Sequence, residues 1–184
     1  MFFKKVFKYY HNYGVKLLAQ KALQRIWLNI TTPKKFRSLP KHLHIETTNT
    51  CNLNCEYCVL KEMIPVKQVM DLNKFKTLGP YFKHVYSISL SGLAEPLINK
   101  DIDKFIASIK GINKKCWVSI FSNATLLTRE ICHKLIDSGL DQFIFSIDST
   151  DPELNDSIRI GSDLNKIIAN LKILNEVRKE RKTQ

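Results

Sequence analysis

The first 45 residues contain no Asp or Glu, and no stretch of the 184-residue chain is long and apolar enough to cross a bilayer. The second absence excludes a protein anchored by membrane-spanning helices. No secretory leader is read at the start of the sequence, so the expectation from five cysteines is a reducing compartment and no disulfide framework. Three of them, Cys51, Cys55 and Cys58, stand in Thr50-Cys-Asn-Leu-Asn-Cys-Glu-Tyr-Cys58 with no fourth cysteine nearby. That excludes a four-cysteine zinc site within this loop.

Two readings of the triad stay open on the residues alone. Spacers of three and then two residues let three sulfurs converge at small closure cost. An iron–sulfur cube takes one ligand per iron, so three thiolates leave one iron free to bind something that reacts. Thiolate sulfur is the soft ligand such clusters use. A zinc ion would instead recruit His44 or His42 as its fourth ligand. Cys116 and Cys132 fall in an expected strand and helix and read as small apolar core residues, and His84 and His133 are expected in the core as well.

The net charge of +12 is unevenly placed. Ten of the 29 Lys and Arg lie in residues 1–45, which leaves 19 to face all 17 acids in the rest. From about Phe2 to Ile30, the residues Phe3, Val6, Phe7, Tyr10, Tyr13, Leu17 and Leu18 recur at helical steps among lysines. Pro33 ends the pattern. This basic amphipathic arm, residues 1–40, docks its stripe on its own domain or rests on an anionic surface, which would make the chain membrane-peripheral. Nucleic acid is not expected as a partner, because the aromatics follow the helix stripe and form no sheet platform.

Residues 41–184 read as the core, in which strands alternate with helices. Strands are expected over His42–Thr47, Val85–Leu90, Cys116–Phe121 and Gln142–Ile147. The expected helices are Leu72–Phe82 behind an Asp71 cap, Ile102–Lys110 ended by Gly111, a Thr128-capped helix stopped by Gly139, and Leu164–Lys179. The alternation implies an α/β fold with a parallel sheet and right-handed crossovers, in four β/α units.

Polar motifs sit just beyond the expected strands, where parallel sheets gather functional residues. They are Ser91-Gly-Leu-Ala-Glu-Pro-Leu97, Phe121-Ser-Asn-Ala-Thr125 and Ser146-Ile-Asp148, followed by Arg159-Ile-Gly161. Together with Cys-x3-Cys-x2-Cys and Tyr57 before its last cysteine, this series resembles the radical S-adenosylmethionine (radical SAM) enzymes. The pattern is nearest their peptide-maturase and molybdenum-cofactor-synthase branch and covers about residues 40–178. The resemblance implies a partial (β/α)6 barrel, a 4Fe-4S cluster on Cys51, Cys55 and Cys58, and S-adenosylmethionine (SAM) chelated to the open iron. One electron from an external donor would cleave SAM to methionine and a 5′-deoxyadenosyl radical that abstracts hydrogen from a substrate. It further implies Tyr57 beside the cluster and Gly92 with Glu95 at the amino end of SAM. Ser122 and Asn123 would meet its carboxylate or the substrate, and Ser146 with Asp148 its ribose.

The chain departs from that pattern in having Ala94 where a glycine commonly stands, and Ser-Asn-Ala where Thr-Asn-Gly is usual. Each motif also has a plainer reading. Ser122 and Asn123 would satisfy a turn backbone. Asp148 would cap the next helix, although Asp151 is the better cap. Arg159 would bind a carboxylate or phosphate, or form a surface ion pair. Strands five and six and a cysteine-rich C-terminal extension are not recognisable, so the expectation is an N-terminal part of the barrel with an exposed sheet edge. The functional expectation is then a cytoplasmic radical SAM enzyme or a fragment of a longer or split one. The alternative is a non-catalytic cluster- and SAM-binding remnant. The substrate, a peptide or cofactor precursor, and a missing C-terminal partner are family analogies.

Overall fold

Four short runs rich in β-formers, each followed by helix, build one parallel sheet in a computed structural model of the chain. The structure describes residues 39–63 and 66–181, with Ala19 and Leu23. The expected basic arm lies outside the described residues. The chain divides into Met1–Leu39 and Pro40–Gln184, and the fold below is that of the second unit.

The strands are β1 (His42–His44), β2 (Ser87–Ser89), β3 (Trp117–Ser122) and β4 (Gln142–Phe145). They lie side by side in chain order, each parallel to the next. The register aligns His42 with Ser87, Ser87 with Trp117, and Ser119 with Gln142. Side chains alternate across a strand, so each face is set by every second residue. One face, with Ile88, Leu90, Val118 and Ile120, is fully buried. The other carries His42, Ser87, Trp117, Ser119, Phe121 and Gln142 and leaves Trp117 and Phe121 about half exposed.

The helices are α1 (Leu60–Met63), α2 (Leu72–Lys76), α3 (Gly79–Phe82), α4 (Ile102–Ile112), α5 (Arg129–Asp137), α6 (Pro152–Ile158) and α7 (Leu164–Glu180). Their apolar faces bury Phe75, Phe82, Phe105, Ile106, Ile109, Leu135 and Ile167 against the sheet cluster. Phe75 stacks on Phe105 with ring centroids 4.3 Å apart. Side chains of this size contribute about 1.5–3 kcal/mol each when fully buried. Asp71, Thr128, Asp151 and Asp163 cap α2, α5, α6 and α7 with their side-chain oxygens. Asp151 is therefore the α6 cap, which releases Asp148 from that duty.

Several boundaries differ from the expectation for local reasons. The helix expected over Leu72–Phe82 is two helices, because Pro80 lacks an amide donor and is tolerated only in the first turn of α3. Gly111 does not end α4, which runs to Ile112. Its stop is Asn113, whose side-chain amide donates to Phe82 O and Val85 O. Cys116 and Cys132 are fully buried, and burial pushes the Cys132 thiol up to about 11. His84 does not join them, since the turn into β2 points Phe82 and Val85 inward and leaves His84 exposed. His133 is about one-third exposed near Glu180. No helix among the described residues is long and apolar enough to cross a membrane.

Candidate functional site

The chain leaves β1 through buried Thr47 and Thr48 and enters the cysteine loop at Thr50. Three backbone hydrogen bonds fix that loop. Glu95 N–H donates to Thr50 O at 3.1 Å, Asn54 N–H to Ile160 O at 2.8 Å, and Glu56 N–H to Ile158 O at 2.9 Å. The cysteines are thus held between the segment after β2 and the turn joining α6 to α7. Gly161 completes this seat, lying against Leu53 and Asn52 O.

Cys51, Cys55 and Cys58 are free and half-buried. Burial pushes the Cys51 thiol up, and the nearby Glu95 and other cysteines add to the rise. Burial also raises Cys55, partly opposed by the Arg159 guanidinium. Among the described residues no three His, Cys, Asp or Glu side chains are grouped as ligands of a single metal ion. His42 Nδ1 lies 2.8 Å from Ser87 Oγ. A cube places each thiolate on a different iron and does not require three sulfurs to meet at a point.

Glu95 follows β2 and is 2% exposed. Its Oε1 accepts from Leu97 N–H at 3.0 Å and Ser122 Oγ–H at 2.7 Å, and its Oε2 accepts from Asn123 N–H at 2.8 Å. An ionised carboxylate offers about four acceptor sites, which leaves one on Oε2. Burial nonetheless raises the Glu95 carboxyl above its ordinary value, against the pull of those three donors. Ser122 is equally occupied, since its hydroxyl also accepts from Ala124 N–H. Gly92 has a protein reason to be glycine. A Cβ there would fall inside the van der Waals surface of the Glu46 carboxylate, whose Oε1 accepts from Leu93 N–H at 2.8 Å.

Asn123 turns its side chain to the cysteine loop. Its Nδ2 donates to Asn52 Oδ1 at 3.0 Å and reaches Cys51 Sγ at 3.9 Å, while its Oδ1 accepts from Thr125 N–H and Oγ1–H. Asn52 Nδ2 in turn donates to Thr125 Oγ1. Ala124, at the place of the usual glycine, has φ of +58° and is fully buried. The left-handed region costs a residue bearing a Cβ about 1–2 kcal/mol. Ala124→Gly relieves that cost but loses a buried methyl and gains unfolded-state entropy, so we expect a stability change below about 1 kcal/mol. Ala124→Val adds both β-branching and excess volume and should cost about 3 kcal/mol. Urea unfolding of the two variants checks both values.

Tyr57, Asp148 and Arg159 form one cluster. Tyr57 Oη–H donates to Asp148 Oδ2 at 2.9 Å, and Arg159 Nη2–H donates to Tyr57 Oη at 2.9 Å. Arg159 Nε lies 2.6 Å from Asp148 Oδ2 as an ion pair, but its N–H is not aimed at that oxygen and makes no hydrogen bond. The Arg159 side chain is only 12% exposed, so this pair is no surface decoration. Burial raises the Tyr57 phenol, and its bond to Asp148 acts in the same direction. β4 ends at Phe145, so Ser146 and Asp148 lie past the strand. Ser146 N–H still continues the ladder to Ser122 O, and its half-buried hydroxyl makes no hydrogen bond among the described residues.

Sequence reasoning passed over Glu46, Asn52, Thr125, Asn155 and Asn170. Asn155 is fully buried and accepts from Asp148 N–H, and Asn170 Nδ2 donates to Ala124 O at 2.9 Å. Asparagine inside a helix is a weak helix former, and that mismatch is the available sequence signal for both. A cavity of about 990 Å³ lies elsewhere, along the outer edge of β4 between α5 and α7, lined by residues such as Leu135, Phe143 and Leu174. It contains none of the cysteines.

Comparison with known proteins bears on the family and the fold. The chain is 34% identical over 137 residues to a GTP 3′,8-cyclase of Clostridium botulinum (strain Hall), covering 71% of this chain and 42% of that protein. It is 35% identical over 132 residues to a probable GTP 3′,8-cyclase of Methanococcus aeolicus, covering 66% and 42%. It therefore spans less than half the length of these relatives. The fold matches Streptococcus suis SuiB bound to S-adenosylmethionine with a TM-score of 0.64 at 23% identity, over 96% of this chain and 43% of that one. It matches anSMEcpe with bound AdoMet equally, with a TM-score of 0.64 at 20% identity, over 76% and 42%. Residues 45–183 match the family model of the radical SAM superfamily, and the chain belongs to that superfamily.

Proposed function

We propose that this chain is the cluster- and SAM-binding part of a radical SAM enzyme. The cofactors that go with the family are a 4Fe-4S cluster and S-adenosylmethionine. The observation that carries the reading is the seat of the three free thiols, pinned by backbone bonds to the segment after β2 and to the turn joining α6 to α7. Cys51, Cys55 and Cys58 would hold the cluster, and the Arg159 charge beside Cys55 offsets part of the negative charge that three thiolates bring together. Glu95 keeps one acceptor site for the amino end of SAM, with Gly92 shaping the adjoining turn. Ser122 and Asn123 orient Glu95 and the cysteine loop. Ser146 and Asp148 would face the ribose, with Tyr57 and Arg159 setting the angle of the Asp148 carboxylate.

When bound, the cofactor pair supplies a 5′-deoxyadenosyl radical through one-electron cleavage of SAM, and this radical abstracts hydrogen from a substrate. The substrate class proposed is a cofactor precursor or a peptide. The relatives are named for a reaction of GTP, and SuiB is known in complex with a precursor peptide. Residues 1–40 are proposed as a separate basic arm and 41–184 as the core.

The test is anaerobic reconstitution with iron and sulfide, followed by SAM and dithionite. We expect thiolate-to-iron absorption in the visible range and release of 5′-deoxyadenosine. A cluster that forms without cleaving SAM would make the chain a binding remnant. Zinc in the purified protein with no iron uptake would overturn both readings.

A further inference from the structure

Resting on the assignment of Cys51, Cys55 and Cys58 as cluster ligands, we infer that Asn123 is a positioning residue that donates an amide N–H to the Cys51 sulfur and raises the reduction potential of the cluster. The side-chain amide has two donor and two acceptor capacities. Both acceptor sites on Oδ1 are taken by Thr125, and one N–H goes to Asn52 Oδ1. The second N–H faces Cys51 Sγ at 3.9 Å, within reach of the larger sulfur atom. Asn123 is 6% exposed, so water does not compete for that proton.

Cys51 is the thiol on which such donors converge. Leu53 N–H also points at its sulfur, at 3.4 Å, so two donors from different loops meet there. Hydrogen bonds to ligand sulfur withdraw charge and favour the more negative, reduced cluster, which shifts its potential upward. The two Thr125 bonds to Oδ1 hold the amide in one orientation, so the donor is preset and has no need to reorganise on reduction. The loop after β3 is thereby coupled to the electronics of the cysteine loop, and not only to the ligand pocket.

The experiment is a redox titration with dithionite, followed optically and by EPR, on reconstituted full-length protein. Asn123→Leu keeps the approximate side-chain volume and removes the donor. Its midpoint should move down by about 59 mV, a tenfold change in the reduced-to-oxidised ratio for one electron. Asn123→Ala removes the donor without adding charge and should shift the same way, so it decides the matter if the leucine variant folds poorly. Asn52→Ala breaks the loop tie but retains the donor and should stay near the wild-type midpoint. The inference is overturned by a wild-type midpoint in both Asn123 variants or by an equal shift in Asn52→Ala. It is also overturned if both Asn123 variants fail to take up iron while Asn52→Ala succeeds, which would make Asn123 a scaffold residue. Failure of the wild-type protein to bind iron would sink the cluster assignment itself.

Discussion

Alanine at Cys51, Cys55 or Cys58 should each reduce iron retained after reconstitution at least about tenfold, from about four irons per chain. A cube already short of one protein thiolate cannot keep its geometry on two. Cys116→Ala and Cys132→Ala are the matching controls. Both thiols are buried in the core, so these variants should keep their iron and lose only modest stability. Iron analysis and visible spectra after anaerobic desalting read the outcome. Full iron in any one of the three loop variants would remove that cysteine from the ligand set. The pH dependence follows from the thiols: burial raises Cys51 and Cys55, and a ligand must shed its proton to bind. Uptake should therefore weaken as pH falls.

The second large effect is expected at Glu95. Glu95→Ala strips the partner from Leu97 N–H, Ser122 Oγ–H and Asn123 N–H, all inside the protein. Each buried donor left unpaired costs about 1–3 kcal/mol, and the three share one network, so we expect a total near 3–5 kcal/mol. A domain of this kind has about 5–15 kcal/mol to lose, so the variant should be partly unfolded at ordinary temperature. Glu95→Gln should cost less, because its remaining oxygen still serves some of the donors. Denaturant titration of iron-free protein separates these cases, and a Glu95→Ala protein within about 1 kcal/mol of wild type would refute the network's role.

Glu95 also sets a pH trend with a definite sign. Its folded carboxyl is raised by burial, so the folded state binds the proton more tightly than the unfolded chain does. The associated stability is fully present below the unfolded value and is lost as pH rises through the folded one. The window opens at the ordinary glutamate value and extends upward. Unfolding free energies of wild type should decline across it relative to those of Glu95→Gln.

Much of the frame was legible because its signals are local. Cys-x3-Cys-x2-Cys is a spacing, helix caps such as Asp71 and Thr128 precede their helices, and strand alternation repeats every second residue. The misread boundaries were local too. Gly111 looked like a stop, but Asn113 offered a side chain that could bind two carbonyls across the turn. At Gly92 the sequence did not show the Glu46 carboxylate, which lies where a Cβ would fall. His84 looked like a core residue because nothing in its own neighbourhood shows which way the turn into β2 will face.

What the amino-acid order determined by itself was the chemistry on offer: three soft thiolates on the loop after one strand, and polar groups at the ends of three others. Only the tertiary structure decided how those groups spend their hydrogen bonds. Glu95 meets Ser122 across 27 positions, Asn123 meets Cys51 across 72, and Arg159 meets Tyr57 across 102. Such partners depend on how each crossover returns the chain to the same end of the sheet. Packing of the helices against the apolar sheet face sets that return, and no local pattern records it.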